Sequence, residues 1–275
     1  MTSAFLYRTA SATHVGKVRT LNEDSLLVRP DIGLWVVADG MGGHGGGDVA
    51  SRLVVAALAT LAPQPSAAAL LGEFEAHIMR VNDDLRALAR SQGAAVLGTT
   101  LVAVLIHGPH FACVWCGDSR VYLMRRGALV QISRDHSEVQ ELIDRGVLEK
   151  DEAKAWPRRN VVTRALGGTD QAELDIVDGP AFADDRFLLC SDGLTAHVDD
   201  EEIAVLLAAA DPQKACDDLI ALTLQRGASD NVSVIVVACD DGALRRDAAD
   251  RTVLWDAARL RERSEERRVG KECSS

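Results

Sequence analysis

Short, densely apolar runs alternate along the chain with longer stretches whose apolar positions recur every three or four residues. These are the signatures of strands and of amphipathic helices. "SLLVRP" (25–30) and "GLWVVAD" (33–39) flank a Pro-Asp-x-Gly turn and read as a hairpin. Residues 48–62, "DVASRLVVAALATLA", have helix-forming composition and stop at Pro63. Residues 69–91 place Leu70, Phe74, Ile78, Val81, Leu85 and Leu88 on one helical face. Four strand-like runs follow: "TTLVAVLIHG" (99–108), "HFACVWCGD" (110–118), "RVYLMRRG" (120–127) and "ALVQIS" (128–133). The turns between them are short, which predicts antiparallel neighbours. Residues 136–160 are charged and helical, polar enough for a surface insertion. "RFLLCSD" (186–192) is a further strand, helices are expected at 200–210 and 212–226, and "NVSVIVVAC" (231–239) is a last strand. One domain over 1–240 fits this order, followed by a polar tail over 241–262.

The chain has 275 residues, 47% of them apolar, enough for a sizeable core. Its net charge of −11 disfavours nucleic acid and anionic membranes and is compatible with cation binding. No basic-then-apolar leader and no apolar run near the ~20 residues of a membrane span is evident, so a cytoplasmic protein is expected. Five of the six cysteines, Cys113, Cys116, Cys190, Cys216 and Cys239, lie in strand-like or helix-like stretches and read as reduced core residues. Cys113 and Cys116 form C-x-x-C but have no partner pair and no His cluster. Cys273 belongs to "RSEERRVGKEC" (263–273), which is similar to the translation of a common sequencing adapter. Residues 263–275 are therefore set apart from the fold as an artefact.

The acids sharpen the picture. Asp39, Asp118 and Asp192 close apolar runs, and Asp24 and Asp230 open them. A single Asp-Gly is a turn signal. Five acids at strand ends point instead to carboxylates projected into one pocket. Such a group repels itself unless protonated or bridged by cations, and oxygen ligands suit Mg²⁺ or Mn²⁺. Gly40, Gly42 and Gly45 do satisfy G-x-G-x-x-G. A dinucleotide loop, however, needs an acid about 20 residues onward. Residues 57–69 contain none, and Asp39 and Asp48 would repel a pyrophosphate. The glycines are expected to let the chain turn sharply at Asp39 and expose the Gly40 carbonyl.

At these residues the chain resembles a known family. "GKVRTLNED" (16–24), "VVADGMGG" (36–43), "GTTLVAVLI" (98–106), "CGDSRVYL" (116–123), "RDHS" (134–137), "VTRALGG" (162–168), "LLCSDGLT" (188–195) and "SDNVSVIVV" (229–237) are similar, in order, to the motif series of the PPM, or PP2C-type, metal-dependent protein serine/threonine phosphatases. The bacterial branch fits best, and "GLWVVADGMGGHGGGDVAS" is similar to the subgroup associated with type VI secretion. The resemblance implies an α+β fold, a four-layer α-β-β-α sandwich of two antiparallel sheets flanked by helices. It implies two Mn²⁺ or Mg²⁺ ions per site, with a weaker third. Asp39 would bridge the two ions, the Gly40 carbonyl would ligate the first, and Asp192 and Asp230 the second. Glu23 and Asp24 would act largely through metal-bound waters, Asp118 would serve the third ion, and Arg19 would grip the substrate phosphate. The implied reaction is hydrolysis of phosphoserine and phosphothreonine on proteins by direct attack of a metal-bridging hydroxide. Expected partners are phosphoproteins, including a Ser/Thr kinase or its targets, acted on by a monomer.

One departure concerns the leaving group. Met41 stands where some relatives carry a His after Asp-Gly, and it cannot donate a proton. His44 lies three residues on and is one substitute, a metal-bound water another. Residues 134–168 match the family's variable flap, where Trp156, Arg158 and Arg159 could touch a phosphoprotein or simply pack and be solvated. Rival readings are a regulator dedicated to one partner, which the "RDHS" and "TRALGG" segments disfavour, and a non-enzymatic pseudophosphatase, which retention of Asp39, Asp192 and Asp230 disfavours.

Overall fold

The computed structural model describes residues 5–42, 46–93, 97–153 and 155–241. His44, Gly45 and the tail beyond 241 lie outside them. The strands are β1 (Phe5–His14), β2 (Asp24–Arg29), β3 (Leu34–Gly42), β4 (Leu97–Thr99), β5 (Leu101–His107), β6 (His110–Cys116), β7 (Arg120–Arg125), β8 (Ala128–Gln131), β9 (Asp175–Pro180), β10 (Arg186–Cys190) and β11 (Val232–Asp241). The helices are α1 (Gly46–Ala59), α2 (Ala67–Gln92), α3 (Glu138–Asp144), α4 (Lys150–Ala153), α5 (Asp192–Thr195), α6 (Asp200–Leu207) and α7 (Pro212–Gln225). One antiparallel sheet runs β1-β11-β10-β7-β8, the other β2-β3-β5-β6-β9, with β4 beside β3.

Why the central strands are apolar without alternation follows from their position between layers, because both faces of each sheet are covered. Trp35 and Val37 of β3, Val102 and Val104 of β5, and Phe111, Cys113 and Trp115 of β6 face the other sheet. There they meet Val121, Leu123, Phe187, Leu189, Ile235 and Val237. The alternate residues Leu34, Val36, Ala38, Leu101, Ala103 and Val114 face outward onto α1 and α2 through Val54, Leu58, Leu70, Phe74, Ile78 and Leu85. On the opposite outside, Tyr122, Leu188, Cys190, Val234 and Val236 meet Leu194, Ile203, Leu207, Cys216 and Leu219 of α5–α7. The result is four layers, α-β-β-α, as the resemblance implies.

Several boundaries differ from the sequence reading. The run 99–108 is broken at Thr100 into β4 and β5. β5 pairs with β6 and β7 with β8, but β6 and β7 are not neighbours: they lie in different sheets. Gly117–Ser119 carries the chain across the sandwich, a crossing that a short linker does not reveal. Among the described residues of 136–160, helical structure is confined to α3 and α4, with turns beyond. β1 and β9 escape the pattern because both are edge strands, and edges carry polar residues. The C-x-x-C cysteines point to opposite faces, Cys113 between the sheets and Cys116 toward the helices. Strand alternation therefore parts them, and both are free buried thiols, with burial pushing Cys116 up to about 12.

One end of the sandwich is closed by an ion pair. Arg125, at the end of β7, donates Nε and Nη2 to the two Asp185 oxygens at 2.7 Å each. The same Nη2 reaches the Pro180 carbonyl at 2.9 Å, the Phe182 amide donates to Asp185, and the guanidinium lies 4.6 Å from the Phe182 ring centroid. The side chains are 4% and 1% exposed, so removing one partner strands a buried charge. Asp185→Ala should lower stability by about 3–5 kcal/mol in urea unfolding, whereas Arg125→Met/Asp185→Leu should lose much less.

Candidate active site

The opposite end of the sandwich gathers the acids. Asp24 and Asp39 are directly opposed in the β2–β3 ladder, so the hairpin alone sets two carboxyls side by side. Asp118 lies in the crossing between β6 and β7, Asp192 opens α5 after β10, and Asp230 lies in the turn before β11. All five interact electrostatically. Asp39 feels Asp24, Asp192, Asp118 and Asp230. Arg19 donates Nη2 to Asp230 at 2.8 Å at the rim, and Glu23 and Asp192 raise its pKa further.

Gly40 is held by contact rather than by a turn. The chain does not bend sharply at Asp39; β3 continues to Gly42 and pairs with β4 through Gly40 and Thr99. A Cβ on Gly40 would stand 2.0 Å from the Gly47 carbonyl oxygen and 2.7 Å from that of Glu23. Gly40 therefore lets β3, the Glu23 backbone and α1 meet, and its amide donates to the Glu23 carbonyl at 3.1 Å. The Glu23 side chain lies against Gly47, where an added Cβ would be 2.7 Å from Oε1.

A shell of hydroxyls and amides fixes the acids, and the sequence reading did not single these groups out. Thr100 donates its amide to the Asp39 carbonyl at 2.8 Å and accepts the Asp39 amide on Oγ1 at 3.2 Å. Its Oγ1 also lies 2.8 Å from Ser119 Oγ, tying Asp39 to the crossing that bears Asp118. Ser191 precedes α5 but does not cap it; its hydroxyl donates to Asp24 Oδ2 at 2.9 Å. Asn231 accepts the Glu23 amide and donates to the Val15 and Leu21 carbonyls, pinning the Arg19 loop. Each of these residues adjoins a site Asp or partners its neighbour in a quoted motif, which is the signal that could have marked them.

Burial is the largest cause of the acids' raised pKa values, with neighbouring carboxylates next. Asp24 is pushed up to about 6, partly countered by Ser233 and Ser191. Asp192 is pushed up to about 6, with Asp230 adding to burial. Asp39 and Asp118 lie well above the ordinary carboxylate range. Asp24 Oδ1 is buried with no hydrogen-bond partner. An orphaned carboxylate oxygen amid other carboxylates suits a hard divalent cation, and the donor set is all oxygen. Among the described residues, no three acid, His or Cys side chains already close into a finished cage. The site supplies ligands crowded in pairs that a cation would draw together.

In residues 134–168, Arg158 pairs with Glu138 at 2.8 Å, and Trp156 Nε1 points at the same carboxylate at 3.5 Å. Both are thus used internally, while Arg159 is exposed.

The sign of the pH effect follows from the pKa directions. Asp24 and Asp192 titrate near 6 when folded and near 3.8 when unfolded, so between those values the folded state binds more protons. Stripped of divalent cations with EDTA, the protein should therefore lose thermal stability as pH rises from 4 to 7. Millimolar Mn²⁺ at pH 7 should restore it; a melting temperature that is flat in pH and indifferent to Mn²⁺ would contradict this origin.

Comparison with known proteins identifies the family. Residues 13–218 match the family model described as Protein phosphatase 2C. The serine/threonine protein phosphatase PstP of Mycobacterium tuberculosis is 41% identical over 230 residues, 83% of this chain and 44% of PstP. The chain thus spans less than half the length of that relative. The structure of PppA, a key regulatory component of the type VI secretion system in Pseudomonas aeruginosa, superposes with a TM-score of 0.80 at 44% identity, covering 86% of this chain and all (100%) of PppA. A crystal structure of the PstP catalytic domain in complex with two manganese ions superposes with a TM-score of 0.78 at 39% identity, covering 86% of this chain and 99% of that one. With eight motifs in order, the four-layer sandwich and a family match over most of its length, the chain belongs to the protein phosphatase 2C family.

Proposed function

We propose that the chain is a metal-dependent protein serine/threonine phosphatase. It would hydrolyse phosphoserine and phosphothreonine on proteins and oppose a bacterial Ser/Thr kinase. The observation that carries this reading is the five-aspartate cleft, with one orphaned carboxylate oxygen inside it and Arg19 at its rim. The likeness to PstP, and to its catalytic domain with two manganese ions, supports both activity and cofactor. The likeness to PppA supports a place in regulating type VI secretion. Among the described residues no helix is long and apolar enough to cross a membrane.

Asp39, Asp192 and Asp230, with the Gly40 carbonyl, would hold two Mn²⁺ or Mg²⁺ ions. Asp24 and Glu23 would reach them through water, and Asp118 would hold a weaker third. Bound there, the cations lower the pKa of water and neutralise phosphate charge. The chain's own residues do the rest. Arg19 presents its guanidinium to phosphate oxygens and stabilises charge as it builds on phosphorus. The Ser191, Thr100 and Asn231 hydrogen bonds keep the carboxylates in register so that little reorganisation is needed at the moment of reaction. Met41 cannot donate a proton, so the leaving group's proton would come from His44 or from a water.

With a phosphothreonine peptide and Mn²⁺, phosphate release should be abolished by EDTA and lowered by 10³-fold or about that by Asp39→Asn. Arg19→Ala should raise KM and lower kcat/KM by about 10²-fold without abolishing Mn²⁺ dependence. No release by folded protein in millimolar Mn²⁺ would overturn the enzymatic reading.

A further inference from the structure

A buried histidine stands where the flap segment meets the acid cleft. His136, 4% exposed, lies nearly parallel to Trp115, with rings 22° apart and centroids separated by 6.2 Å. Its Nδ1 accepts the Gly117 amide at 3.1 Å, and its own amide donates to the Gly117 carbonyl at 2.9 Å. His136 and Gly117 are thus locked by two reciprocal bonds. Because Nδ1 is an acceptor, the proton sits on Nε2, which donates to Asp175 Oδ2 at 3.2 Å.

Gly117 immediately precedes Asp118 in the crossing between the sheets. It holds φ = +117°, a conformation L side chains rarely adopt, and a Cβ there would stand 2.6 Å from Thr100 Cβ. The turn has no slack of its own, and its outward amide is fixed by the imidazole. His136 and its neighbours Ser137 and Glu138 tie the two ends of the 134–168 segment together. The Thr163 amide donates to the His136 carbonyl at 2.8 Å, Ser137 bridges to Val162, and the Glu138 amide donates to Val161 at 3.0 Å. Trp115 Nε1 donates to the Arg134 carbonyl at 2.8 Å, and Arg164 reaches Asp175 Oδ1 at 3.4 Å.

We infer that His136 is a positioning residue for Asp118: its imidazole joins the base of the 134–168 segment to the Gly117–Asp118 turn, so that cation binding at Asp118 and the placement of that segment are coupled. His136 touches neither substrate nor cation; it acts through the Gly117 amide, as groups one step behind metal ligands commonly do. The inference rests on the metal reading proposed above.

Two substitutions separate the ring's two bonds. His136→Asn keeps an oxygen near the position of Nδ1, able to accept from Gly117, and gives up Asp175. His136→Gln keeps a donor near the position of Nε2 for Asp175 and leaves the Gly117 amide without its acceptor. The readouts are amide hydrogen exchange at Gly117 and calorimetric titration of the full chain with Mn²⁺, with Asp118→Asn as reference. The expected result is faster Gly117 exchange in His136→Gln alone. The weakest Mn²⁺ event should weaken about tenfold in that variant, toward Asp118→Asn, and stay within about threefold of wild type in His136→Asn. Equal weakening in both variants, or a drop in melting temperature with Mn²⁺ affinity unchanged in both, would overturn the inference and leave His136 a packing residue. Wild-type protein that binds no Mn²⁺ would overturn the metal reading and the link to Asp118 together, and exchange at Gly117 would still report separately on the His136 pin.

Discussion

Carboxylates repel one another, and this structure holds five of them in one cleft. Burial raises the cost, since an ionised carboxylate surrounded by protein has lost water and gained like-charged neighbours. Asp39 meets this conflict from four sides, opposed by Asp24 across the hairpin and repelled also by Asp192, Asp118 and Asp230. Only a rigid frame can impose such proximity. Three apolar layers, one between the sheets and one beneath each helical layer, provide it. The conflict is relieved by protons near neutral pH or by divalent cations, and the second is the relief on which the proposed chemistry depends.

The division of labour between the two ends of the sandwich follows from that constraint. At the far end a fully buried Arg125–Asp185 pair is satisfied on both sides and asks nothing of solvent. At the near end charges of one sign predominate, one carboxylate oxygen is buried without a hydrogen-bond partner, and Arg19 pairs with Asp230 on the rim. A stable protein tolerates such a local deficit where function uses it. The hydroxyls of Thr100, Ser119, Ser191 and Ser233 and the amide of Asn231 turn the deficit into a defined geometry. Thr100 Oγ1 accepts the Asp39 amide and bonds Ser119, Ser191 donates to Asp24 Oδ2 and accepts the Ser233 amide, and Asn231 accepts the Glu23 amide.

The crossing between β6 and β7 links the site to the rest of the molecule. It carries Asp118, touches Thr100 through Gly117 and Ser119, and is bonded to the base of the 134–168 segment through His136. One short turn thus connects both sheets, the acid cleft and the most polar insertion in the chain. Within that segment Arg158 and Trp156 are turned onto Glu138.

Much of this was legible in one dimension. The strand-like runs, the β2–β3 hairpin, the inward face of α2 and the five acids at run ends can all be read from local pattern, because alternation, helical spacing and turn chemistry act over a few residues. The motif order pointed to the family for the same reason. What the pattern could not carry were choices made by distant partners. β1 and β9 are edge strands whose pairing, not composition, makes them strands. Gly117–Ser119 looks like a hairpin turn but passes between sheets. Gly40 is a glycine because Gly47 and Glu23 press against it from elsewhere in the chain, not because the strand turns there. The sequence by itself determined which residues would be buried and which acids would stand beside apolar runs. Only the tertiary structure decided that those acids, separated by more than two hundred residues at the extreme, would come together. Electrostatic repulsion opposes that meeting, and the packing of four layers enforces it.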